Sequence, residues 1–219
     1  MRRLTSWRVG AVVLAVLVAL VLAVGGYQLG QASTRPPAEG VDAGFARDMQ
    51  THHRQAVEMS FIIRDKTEDP ALQTLTYDII NGQAHQAGQM FGWLAAWGYS
   101  QNSTEPPMEW MSALGHDHET GGHDDHGASL SPAEAEAAAN EAMGMATPEE
   151  MDRLRQIDGV EAERLFLRLM LEHHHGGIEM AEVTAEHAER PEVRTLAGAI
   201  VEAQTVEAKL LEDLLAARS

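Results

Sequence analysis

Cysteine is absent from all 219 residues, which excludes a disulfide framework and any thiolate-bound metal. Soft-metal chemistry, if there is any, must fall to the 11 methionines and 11 histidines. Charge is missing from residues 9–34, where Val9 to Gly26 is nearly continuous Val, Ala and Leu behind Arg2, Arg3 and Arg8. At ~1.5 Å per residue that run reaches about 27 Å, close to the hydrocarbon thickness of a bilayer. Ala23-Val24-Gly25 would serve as a cleavage site, but a cleaved signal usually has a shorter apolar region of about 7 to 15 residues. The reading is therefore an N-terminal membrane anchor over 1–30, single-pass in the cell membrane, with the arginines inside and the C-terminal part extracytoplasmic. Cleavage would instead make the chain secreted. Basic charge is scarce beyond the run: 13 Lys and Arg stand against 33 Asp and Glu, and every acid lies after residue 38. Such a surface excludes nucleic acid as a partner and attracts cations.

After a Pro-containing linker over 31–40, the chain repeats itself. Sliding the sequence by 121 positions superimposes Phe45 on Phe166, Met49 on Met170, His52-His53 on His173-His174, Glu58 on Glu179 and Met59 on Met180. The register continues without a gap through Pro70 and Pro191, Ile79 and Ile200, Gln83 and Gln204, and Leu94 and Leu215, so that 17 of 53 positions from 45 to 97 are identical. Identity of that extent at a fixed offset is an internal repeat.

Each copy reads as a helical hairpin. Apolar residues recur at spacings of three and four in Ile79, Met90, Trp93, Leu94 and Trp97, and again in Val193, Leu196, Ile200, Leu210, Leu211 and Leu214. Pro70 and Pro191 fit the first turn of each second helix, where a missing N–H is harmless. Two hairpins, each with an apolar stripe to bury, predict an all-α four-helix bundle over 41–217. Repeat one covers 41–98 and repeat two 159–217. Between them, 99–158 holds a His-rich loop and short helices. Gln101 to Leu130 carries GHDHETGGHDDH, with His116, His118, His123 and His126 among Gly, Asp and Glu, a composition for a mobile loop. Ser131 with Glu134 and Thr147 with Glu150 read as capping boxes, and Asp158 with Glu161 suits the start of the next long helix.

At roughly 100° per residue, Met49, His52, His53, Ala56 and Met59 share about a third of the first helix's circumference, and Met170, His173, His174, Gly177 and Met180 repeat the arrangement. Ordinary core filling explains single methionines. It does not explain paired imidazoles, whose buried polar atoms need partners. Thioether suits Cu(I) and imidazole suits copper in either state, so the stripe points to copper. Glu58 and Glu179 point away from it and read as surface or salt-bridging residues. Trp93 and Trp97 read as core. His85 and Gln83 are placed to complete a site or a hydrogen bond, but Val206 replaces His85 in the second copy. Met108 and Met111 are further thioethers beside the loop, whose imidazoles and carboxylates suit Cu(II), with zinc as another ion for them.

The pair of F-x3-M-x2-HH-x3-[VI]-x-M segments, each followed by I-x3-Q, resembles the CopM-like bacterial family catalogued as domain of unknown function 305. The phrase MGMATPEEMDRL, Met143 to Leu154, is similar to that family too. The resemblance implies a ferritin-like bundle, exported or anchored, with a copper role for Met49, His52, His53, Met59, Met170, His173, His174 and Met180. On this reading the protein is not an enzyme but sequesters or transfers copper, with a homodimer and a copper-transfer partner protein both open. Two alternatives stand beside it. A ferritin-like di-metal oxidase would use Glu-x-x-His motifs; Glu172 and His175 supply one, but Thr51 and Arg54 occupy the matching positions. A non-metal protein-interaction module would use the histidines near pH 6.

Overall fold

The computed structural model describes residues 16–26, 35–115 and 131–218. Of the expected anchor, residues 16–26 are helical, while 1–15 and 27–34 lie outside the described residues. Among the described residues no helix is long and apolar enough to cross a membrane, and none forms a β-strand. The described residues divide into two units, one within 1–35 and one within 36–219.

Among the described residues of the second unit, seven helices follow one another: α1 (Val41–Arg64), α2 (Pro70–Trp97), α3 (Glu109–Ser112), α4 (Pro132–Ala142), α5 (Pro148–Gln156), α6 (Gly159–His187) and α7 (Pro191–Ala216). Local chemistry accounts for their ends. Pro70 and Pro191 open α2 and α7. The Ser131/Glu134 and Thr147/Glu150 capping boxes form at α4 and α5 as the sequence predicts. Asp158 is the N-cap of α6, although its side chain caps nothing. Gly98 ends α2 in the left-handed conformation that favours glycine.

The hairpins α1–α2 and α6–α7 meet chiefly through their first helices, so α1 and α6 are central and α2 and α7 flank them. The central pair is antiparallel: early α1 and late α6 share one apolar cluster with Met49, Met90, Leu94, Met180 and Ile200. Late α1 and early α6 share another, with Met59, Ile63, Leu72, Phe166 and Met170. Between the clusters lies a buried polar layer.

One stretch departs from the sequence reading. Residues 101–115 are not a free loop: Met108, Trp110 and Met111 are buried in the core. Trp110 packs directly on Gly44, where a Cβ would stand 2.4 Å from the indole, and its Nε1 donates to Asp48 Oδ2 at 2.8 Å. Met108 and Met111 are thus core residues and not loop donors. The composition of this segment misled because the His-rich residues diluted the Trp and Met. His116, His118, His123 and His126 lie outside the described residues.

One lysine caps the end of α5 from the end of α1. Lys66 Nζ donates to the carbonyls of Leu154, Arg155 and Ile157 at 3.1, 2.7 and 2.6 Å, satisfying the end of α5. Charged donors to carbonyls are worth more than neutral ones. Lys66→Met should therefore destabilise the protein by about 2 kcal/mol, read as a lower urea midpoint with helicity retained.

Candidate metal centre

The helical period that aligned His52, His53, His173 and His174 in sequence puts all four at zero exposure in the middle layer. Antiparallel packing of α1 on α6 brings the two pairs face to face. The rings of His52 and His173 stack with centroids 3.5 Å apart and planes 25° from parallel, and His53 and His174 flank them at 6.1 and 6.5 Å.

Each Nε2 faces an oxygen. His52 Nε2 donates to Met143 O at 3.1 Å and His173 Nε2 to His52 O at 2.9 Å. His53 Nε2 donates to Gln86 Oε1 and His174 Nε2 to Glu207 Oε2, both at 2.8 Å. Carbonyls and carboxylates only accept, so the proton of each neutral imidazole sits on Nε2. Every Nδ1 is then an unprotonated lone pair, and all four are buried without a hydrogen-bond partner. The amides of Gln83 and Gln204, which the repeat makes equivalent, are also buried and unpartnered.

Burial holds three of the rings neutral. It pushes His53 down to about 4. It also pushes His52 and His173 well below the ordinary imidazole value, and the neighbouring imidazoles add to the effect. A neutral imidazole with one N–H fixed by an oxygen and the other nitrogen bare is the form in which histidine binds metal.

The thioethers divide by end. Met49 and Met180 belong to the cluster on one side of the layer, Met59 and Met170 to the cluster on the other. All four are fully buried, and they are not gathered into one group. Among the described residues, no three His, Asp or Glu side chains converge on a common point.

Other assignments hold in part. Trp97 is buried and stacks with Trp93. Glu58 pairs with Arg155 across to α5. His85, expected to complete a site or a hydrogen bond, is instead exposed, as are His175 and Glu172, the last lining a surface cavity of about 730 Å³ beside α4. Gly177 leaves room beside a donor: a Cβ there would stand 2.8 Å from His52 Cε1 and 2.4 Å from Gln204 Oε1.

Two features escape a reading of the sequence. Gln86 and Glu207 occupy equivalent repeat positions three residues after Gln83 and Gln204, so the usable signal was a polar pair on α2 and α7 at the 121-residue offset. The second feature is the strap Met143–Ala146. Gln55 clamps Ala146 through both its N–H and its carbonyl at 2.8 Å, and Met143 O receives the His52 proton. The strap covers one side of the layer.

No curated protein matches the chain. Solved structures do. A DUF305 protein from Streptomyces coelicolor, described as secreted, is 41% identical over 83% of this chain and 96% of its own, with a TM-score of 0.69. A DUF305 fragment from Deinococcus radiodurans is 30% identical over 83% and 99%, with a TM-score of 0.61. CopM shares the fold in its Cu(II)-bound form, at 24% identity over 82% and 98% and a TM-score of 0.56, and also has Cu(I)- and Ag-bound forms. The family model described as domain of unknown function (DUF305) matches residues 42–215, and the chain belongs to that family.

Proposed function

We propose that the histidine layer binds copper, without catalysis, and that the protein sequesters or hands over the ion outside the cytoplasm, tethered by the apolar run at its N-terminus. The observation that carries this reading is the set of four buried Nδ1 lone pairs, each on a ring whose Nε2–H is already held by an oxygen. Leaving such acceptors and two glutamine amides buried and unpaired costs about 1–3 kcal/mol per group, a cost that a bound cation offsets at the imidazoles. The donor chemistry favours copper because imidazoles lie between two pairs of thioethers, which Cu(I) accepts readily and harder ions do not. The net charge of −17 draws cations to the surface. CopM's copper- and silver-bound forms accord with the reading, as does the secreted description of the Streptomyces relative.

Titration of the metal-free full chain with Cu(I) against a chromophoric chelator tests it, beside a variant with His52, His53, His173 and His174 all changed to Ala. The wild type should take copper from the chelator, and the variant, checked for retained helicity, should lose at least a hundredfold in affinity, or ~2.7 kcal/mol. Equal binding by both would move the site to the loop or the methionines. Binding by neither would remove the copper reading.

A further inference from the structure

The repeat makes the two halves of the layer equivalent down to the acceptor that holds each outer ring, and there the chemistry differs. His53 Nε2 donates to Gln86 Oε1 and His174 Nε2 to Glu207 Oε2, both at 2.8 Å. Gln86 and Glu207 stand in the same register as the histidines themselves. One acceptor is a neutral amide. The other is a carboxylate whose side chain is only 23% exposed. Among the described residues no lysine or arginine pairs with Glu207, so the negative charge is directed at the imidazole.

A carboxylate on the N–H of an imidazole pushes electron density toward the opposite nitrogen and raises its strength as a ligand. An amide oxygen fixes the same tautomer and orientation but supplies no charge. The added density helps most where the bound ion carries the higher charge and is harder. Two geometrically equivalent rings therefore differ as donors for reasons of charge alone.

We propose that Glu207 is a positioning residue that makes the His174 half of the layer the preferred seat for Cu(II), while Gln86 leaves the His53 half to Cu(I), so that this single difference between the repeats sets the oxidation-state preference. The inference rests on the copper reading above. It assigns Glu207 and Gln86 a role as partners of ligands, not as ligands.

Four versions of the full chain test it: wild type, Glu207→Gln, Gln86→Glu and the double exchange, each with Cu(I) and Cu(II) affinities measured separately against competing chelators. Glu207→Gln should weaken Cu(II) about tenfold relative to Cu(I), equivalent to a rise of about 59 mV in the potential of the bound ion. Gln86→Glu should move the ratio the opposite way, and it adds charge without removing a contact, so it carries the test even if Glu207→Gln unfolds. The double exchange should return the ratio to about the wild-type value. A purely structural role for Glu207 would lower both affinities together and leave the ratio unchanged, which would overturn the proposal while the copper reading stood. Failure of the wild type to bind either ion would overturn both.

Discussion

Metal-free protein should lose roughly 6 kcal/mol of stability between pH 7 and pH 5. The loss comes from His52, His53 and His173, whose burial holds them neutral far below the ordinary imidazole value. In the unfolded chain the same rings take up protons near pH 6.5. Below that pH the unfolded state therefore binds up to three more protons than the folded one, and the free energy of unfolding falls as pH falls, by about 4 kcal/mol per unit at most. With His53 at about 4, its contribution continues to decline until near that pH. Asp48 works in the opposite direction, because burial raises its carboxyl, but it is one group against three. The carboxylates with lowered values, Asp69 and Glu192 among them, act below the pH 5–7 window. A fall of 6 kcal/mol is comparable to the whole stability of many domains. Urea midpoints measured at pH 7, 6 and 5 give the answer directly. His53→Met, which removes one titrating ring of three at similar volume, should reduce the slope by about a third. A flat midpoint across this range would mean that the rings are protonated inside the folded layer, and that burial does not hold them neutral.

Helices were legible in the sequence because their determinants are local. Pro70 and Pro191 mark helix starts, the two capping boxes mark two more, and the three-and-four spacing of apolar residues marks the buried faces. The histidine pairs stood out because duplication at a fixed offset lifts them above chance. What the layer needs in addition is not local. Whether Gln86 and Glu207 are surface residues or partners of buried rings depends on how α2 lies on α1 and α7 on α6, and polar residues on a helix are usually solvated. The carbonyl of Met143 is even less visible, since a backbone atom 91 residues from His52 leaves no trace in composition. Trp110 was hidden for a different reason: averaged with the His-rich residues that follow, its segment looked uniformly polar.

The strap over the layer should be far more sensitive to added carbon than any exposed helix. A Cβ on Gly176 would stand 2.1 Å from Met143 O and 2.3 Å from Met143 C, both backbone atoms that no rotamer change can move. A Cβ on Gly144 would stand 2.2 Å from Glu172 O, at a residue whose φ of +65° already disfavours a side chain. Gly176→Ala and Gly144→Ala should each destabilise by about 3 kcal/mol. Both break the same contact, so the double variant should lose clearly less than the sum. Lifting the strap also relieves the burial of His52, the largest cause of its lowered value, and this outweighs the lost hydrogen bond to Met143 O, which favours the protonated ring. The acid-induced loss of stability should accordingly become shallower in either variant. Gly82→Ala supplies the control: Gly82 is exposed on α2 with nothing within 4 Å of its would-be Cβ, and the same substitution there should stabilise by about 0.5–1 kcal/mol through helix propensity. Urea denaturation of these variants at pH 7 and pH 5 distinguishes the two environments by sign. If Gly176→Ala behaved like Gly82→Ala, the strap would not rest on α6, and His52 would need another partner for its proton.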